Sequence, residues 1–151
     1  MENIRKKALK LDFEEVIRFH REAMDKYALA HLRAAADIEF MLHKSIEEQL
    51  KNNVKLHKII GDSFGRTICL AFALGTIEQK TYECLLKFKD IRNRIAHKTD
   101  PEIKISDASS LVMFLGKSAT EEVESRGTCI SEWHQAALDL LVEKVKSDVS
   151  A

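Results

Sequence analysis

The chain is predicted to fold as an all-α, single-domain helical bundle of about five to six helices. Its five glycines and single proline in 151 residues leave few of the punctuated turns that strands need. Apolar residues recur at spacings of three and four rather than in alternation, which is the helical period. A length of 151 residues suits one domain, residues 1–151, with enough core to fold without disulfides or a structural metal.

Each element has its own signal. Asp12 with Glu15 makes a D-x-x-E variant of the capping box, which predicts a first helix opening at Asp12 with Phe13, Val16, Ile17 and His20 on one face. A second apolar series from Ala28 to about Leu50, including Leu32, Ala35, Leu42 and Ile46, reads as the central helix. No Gly or Pro interrupts the join between them; a bend or short break near Tyr27 is the favoured reading. Gly61-Asp62-Ser63-Phe64-Gly65 is a connection, with Asp62 or Ser63 capping the helix that carries Ile68, Cys69, Phe72 and Ala73. Gly75 suits the left-handed position that closes that helix, and Thr76 with Gln79 forms a T-x-x-Q box opening the next.

That next helix places Tyr82, Leu85, Leu86, Phe88, Ile91 and Ile95 inward and leaves Lys87, Lys89, Asp90, Arg92 and Arg94 largely outside the stripe. Asp100-Pro101 ends it, because the residue before proline disfavours helix. A fifth helix begins near Ser106 or Asp107 and runs through Leu111, Phe114 and Leu115. Residues 121–127 read as a loop or frayed helix end, and a last helix begins near Thr128, with Trp133 on its apolar face.

Charge and cysteine content narrow the function. The 24 basic and 24 acidic residues cancel, so no overall field holds the chain on nucleic acid or an anionic membrane, and duplex DNA binding is not expected. Any RNA contact must be local. Cys69, Cys84 and Cys129, odd in number and set among apolar residues, fit reduced thiols in a cytoplasmic protein. No apolar run approaches a membrane span. His20, His31, His43, His57 and His134 lack the i, i+3 or i, i+4 spacing of zinc ligands, so no metal and no cofactor is expected. Ser63 between glycines lacks the spacing and lysine of a P-loop.

The segment Arg92-Asn93-Arg94-Ile95-Ala96-His97 carries the chemistry. It offers a fixed cation, an amide, and the side chain that titrates near neutral pH. These suffice for metal-free RNA cleavage. In that reaction a base takes the proton of a ribose 2′-hydroxyl, the oxygen attacks phosphorus, and an acid protonates the departing 5′-oxygen. Arg92 would hold the charge on phosphorus. Arg94, Lys98 and Lys89 would add local positive charge for the strand backbone. On a regular helix Arg92 and His97 lie about 140° apart, whereas Asn93 and His97 share a face. Arg92 joins them only if the last turn distorts or a second protomer supplies its own copy across a two-fold axis. The plainer alternative pairs Arg92 with Asp90, Glu83 or a neighbouring helix and leaves His97 to cap the last carbonyls.

The segment resembles the R-x(4–6)-H motif of the HEPN superfamily, including the polar residue after the arginine. Gly61-Asp62-Ser63-Phe64-Gly65, Ile68 to Gly75, the Tyr82 helix, Ile91-Arg92-Asn93 and Ala96-His97 together are similar to the mannitol operon repressor-like (MltR) branch, over roughly residues 28–118. The resemblance implies a helical bundle with the motif near a homodimer interface. For active HEPN ribonucleases it implies Arg92 and His97 as catalytic residues with Asn93 as their polar companion, and an endoribonuclease of toxin or defence type with an antitoxin as partner. The branch name implies the alternative, a non-catalytic transcriptional regulator acting through protein partners.

Overall fold

The computed structural model describes residues 2–52, 55–97, 104–126 and 130–151. They form seven helices: α1 (Glu2–Gln49), α2 (Leu56–Ile60), α3 (Phe64–Ala73), α4 (Gln79–His97), α5 (Ile105–Leu115), α6 (Lys117–Arg126) and α7 (Ile130–Ser150). Among the described residues there is no strand, and the all-α bundle is as predicted.

Two expectations about the first helix do not hold. α1 is one helix of 48 residues, without a break near Tyr27 and without a start at Asp12. The reason is the absence of any Gly or Pro before Gly61; a carboxylate such as Asp12 caps only a helix that stops there, and nothing stops this one. Residues 121–126, expected as a loop or frayed helix end, are helical, and Gly127 lies outside the described residues. They belong to α6, anchored by Ala119 and Val123, which are buried in a small second core with Ala108, Val112, Ala136 and Ala137.

The main core is built from α1, α3, α4 and α7, with Ile38, Leu42 and Ile46 facing Ile68, Leu85, Phe88, Ile91, Leu138 and Leu141. Helix directions follow from the contacts. Tyr27 and His31 meet His134 at the start of α7, and Lys26 to Asp37 share a groove with Gln135 to Glu143, so α1 and α7 run parallel. α4 runs against both. Its Phe88 stacks on His31, while Glu78 and Thr81 at its beginning bond Asp148 near the end of α7.

Local signals set the ends of α3 as expected. Ser63 is its N-cap and accepts from the Arg66 amide. Gly75, at φ +71°, follows the helix, and the Gly75 and Thr76 amides return to the Phe72 and Ala71 carbonyls. This is a Schellman closure, and only glycine adopts that φ without strain. The T-x-x-Q box, however, does not form. The Thr76 hydroxyl accepts from Gln49 of α1 at 2.7 Å, and Gln79 donates to Glu83. The start of α4 is satisfied from across the bundle, where Asp148 accepts from the Glu78 amide at 3.1 Å and from the Thr81 hydroxyl at 2.5 Å.

Candidate functional site

α4 delivers Arg92, Asn93 and His97 to the end of the bundle where α7 begins. The helix stays regular through His97, because Ile91 and Ile95 are buried one turn apart and hold the last turn to the core. With a constant rise in α1 and α4, and Phe88 beside His31, His97 comes level with the part of α1 just before Ala23.

Within this turn the structure joins two of the three motif residues. The Arg92 Nη1 donates to Asn93 Oδ1 at 3.2 Å. Both side chains are half-buried, and the Arg92 Nε is buried without a hydrogen-bond partner. The two carboxylates that the plainer alternative names on α4 do not neutralise the guanidinium: Asp90 pairs with Lys89 at 3.3 Å and Glu83 accepts from Gln79 at 2.7 Å. Among the described residues Arg92 has no ion pair. His97 is exposed at the end of α4. The regular helix keeps it on a different side from Arg92, by about 140°.

The flanking cations divide. Lys89 is half-buried, with its stem against Gly65 and its ammonium on Asp90. Arg94, expected outside the apolar stripe and on the strand-binding surface, instead turns inward and pairs with Asp107 of α5. Asp107 is only 4% exposed, so its charge draws the flexible guanidinium away from solvent. Asp107 also accepts the Lys104 amide at 2.9 Å, closing the start of α5. Lys98 lies outside the described residues.

Beneath this turn is a polar cluster that spacing did not reveal. His31 of α1 and His134 of α7 are 0% and 2% exposed, their rings 5.8 Å apart. The His31 Nδ1 donates to the Tyr27 carbonyl, and Phe88 stacks on its other side. His31 Nε2, His134 Nδ1 and Arg94 Nε are buried without partners. Burial pushes both imidazoles below their ordinary pKa, against an opposing pull from Asp107. Residues 103 apart in sequence meet here, and only their positions on two apolar stripes hinted at it.

Among the described residues no group of three or more His, Cys, Asp or Glu is placed to hold a metal ion, and no helix is long and apolar enough to cross a membrane. Cys84 is buried, its thiol pushed up to about 12 by desolvation, which suits packing rather than nucleophilic chemistry. Cys69 contacts the Tyr82 hydroxyl at 3.8 Å. No protein-family model, curated protein or solved structure matches the chain.

Proposed function

We propose that the chain is a metal-independent endoribonuclease of HEPN type, acting as a homodimer in which Arg92, Asn93 and His97 flank a groove that receives single-stranded RNA. The observation that carries this reading is a guanidinium that has no carboxylate partner among the described residues. There Arg92 bonds Asn93, while the nearby Asp90 and Glu83 are engaged elsewhere. A structural arginine neutralises a neighbour; one oriented by an amide keeps its charge for a phosphate.

The chemistry divides between two copies. His97 takes the proton from the 2′-hydroxyl, or gives one to the 5′-oxygen, with the partner's His97 in the complementary role. Arg92 stabilises the charge that builds on the phosphoryl oxygens. The products are a 2′,3′-cyclic phosphate and a 5′-hydroxyl, so atoms and protons balance without an added water or metal. Lys87 supplies local charge for the backbone, Lys89 being paired with Asp90, and Arg94 serves to fix the last turn of α4.

Purified protein incubated with single-stranded RNA in chelator tests this. Cleavage leaving cyclic-phosphate ends, and its loss in both Arg92→Ala and His97→Ala, is expected. Cleavage that persists in His97→Ala removes the assignment.

A second reading, an MltR-like regulator without catalysis that acts through protein partners, is favoured by the divergence of Arg92 and His97 on a regular α4. A chain that never pairs its motifs has a binding surface there and no reaction centre. Loss of partner binding in both variants, with no RNA cleavage by the unaltered protein, selects it.

A further inference from the structure

The proposed chemistry makes no use of the polar cluster beneath the last turn of α4, into which four helices each send one side chain. α1 brings His31, α4 Arg94, α5 Asp107 and α7 His134. Tyr27 and Phe88 add rings to it, and the neighbouring Lys104, Glu132 and His97 are exposed. Among the described residues the charges at its centre are thus one guanidinium and one carboxylate, which balance while the imidazoles are neutral.

That ion pair is half made. Arg94 meets Asp107 through Nη2, while its Nε is buried without an acceptor, so the Nε side of the fork is unused. The partners also differ in freedom. The Arg94 side chain is 27% exposed and that of Asp107 5%, which gives the guanidinium a route to water that the carboxylate lacks.

The imidazoles supply a competitor. His31 Nδ1 donates to the Tyr27 carbonyl, which leaves Nε2 an acceptor, buried without a partner. His134 bonds the Lys104 backbone, whose amide donates to Asp107, and its Nδ1 is likewise buried without a partner. A proton on either ring turns an acceptor into a donor and brings a second cation into a low-dielectric space around one carboxylate. His134 is the better placed to receive it, because it feels the Asp107 charge without the opposing charge of Arg94, whereas His31 feels both.

We infer that His134 and Asp107 form an acid-operated switch, in which the His134 imidazolium displaces Arg94 from Asp107 and the guanidinium turns out to the surface of α4 one turn before His97. Arg94 and His97, three apart, share a face of the helix, so release sets a cation beside an exposed imidazole. His31 lies 5.8 Å from His134, and its protonation is opposed once His134 is charged, so the switch takes one proton. Ile91 and Ile95 stay buried in either state and keep α4 in place while Arg94 moves. The device requires neither RNA nor a second copy of the chain; a gain in strand binding on acidification, by contrast, rests on the nuclease reading.

NMR of the full chain from about pH 8 to pH 4.5 tests the proposal. It follows the Arg94 Nε signal, assigned with Arg94→Lys, and the His134 ring signals, assigned with His134→Gln. The Arg94 signal is expected to pass from slow to fast solvent exchange with the midpoint of the His134 ring, and to stay unmoved in His134→Gln. Arg94→Met, which keeps a stem but no charge, should raise the His134 midpoint by about one pH unit, a tenfold gain in proton affinity, and Asp107→Asn should lower it. An Arg94 signal indifferent to the His134 titration, a His134 ring that stays neutral throughout, a midpoint that does not rise in Arg94→Met, or loss of the fold before Arg94 moves overturns the proposal. If Arg94 is released as expected but acid tightens single-stranded RNA binding equally in the unaltered protein and in Arg94→Met, the switch stands and its strand-binding consequence falls.

Discussion

The Arg92 guanidinium donates to the Oδ1 of the adjacent Asn93 at 3.2 Å. Because that acceptor is neutral, the bond fixes the direction of the guanidinium without spending its charge. Arg92→Lys is therefore expected to be nearly as damaging to RNA cleavage as Arg92→Ala, each by a factor on the order of 10² to 10³, since an ammonium loses the planar fork. Asn93→Ala should cost less, on the order of tenfold, because it releases the guanidinium but leaves it in place. Rates on a short RNA, with circular dichroism as a control for folding, check the order. An Asn93→Ala loss larger than that of Arg92→Ala would move the reaction centre to the amide.

Arg94 and Asp107 form the second fixed relationship in this turn. Removing the guanidinium leaves Asp107 charged and almost fully buried, with the Lys104 amide as its hydrogen-bond donor among the described residues. Arg94→Ala should destabilise the fold by about 3 kcal/mol, read as a lower urea midpoint with an unchanged m-value. Asp107→Asn, which retains an acceptor for the Lys104 amide, should cost less. If Arg94→Ala left stability unaltered but weakened RNA binding, Arg94 would return to the strand-binding surface.

What the sequence revealed and what it hid divide along the range of the interactions. Ser63, Gly75 and the apolar stripe of α4 act within a few residues, and each was readable. Asp12 misled because a cap residue is a signal only where the chain leaves the helix, and tertiary burial of His31, Ala35 and Ile38 drives α1 straight through Tyr27. Thr76 misled for the converse reason. Its hydroxyl had a better partner in Gln49, 27 positions away, while α4 was capped by Asp148, 67 positions from Thr81. Arg94 sits on the polar flank by periodicity, but a long side chain goes where a buried carboxylate waits. The positions of Arg92, Asn93 and His97 on α4 were legible because the helix is regular; the His31–His134 contact beneath them was not.

That contact makes stability depend on pH near neutrality. Burial lowers the pKa of both imidazoles, so the folded state resists a proton that the unfolded chain accepts below about 6.5. The contribution is fully present above the unfolded pKa and is lost as pH falls toward the folded values. The neighbours act in both directions, Asp107 favouring protonation and Arg94 opposing it. Urea midpoints should decline between pH 7.5 and pH 5, and His134→Phe should flatten that decline. An unchanged slope in the variant would show that other groups govern this window.

Asp148 governs a separate, more acidic window. Burial raises its pKa, but the Lys144 ammonium, the Thr81 hydroxyl and the Glu78 amide together outweigh this and leave it below its usual value. A depressed carboxyl stabilises the fold above its unfolded pKa, near 3.9, and that stabilisation is lost as pH falls through the folded value. Asp148→Ala removes the cap of α4 and frees Lys144 to keep only Glu78, so it should cost about 1–2 kcal/mol at pH 7. Asp148→Asn retains an acceptor for the amide and hydroxyl and should recover part of that loss. The advantage of the unaltered protein over Asp148→Asn should vanish in acid, where the native carboxyl is itself protonated. Because α4 also carries Arg92 and His97 at its far end, amide exchange along the helix adds a sharper reading. In Asp148→Ala, protection should fall in the first turns of α4 and persist around Ile91 and Ile95, which are held by the core.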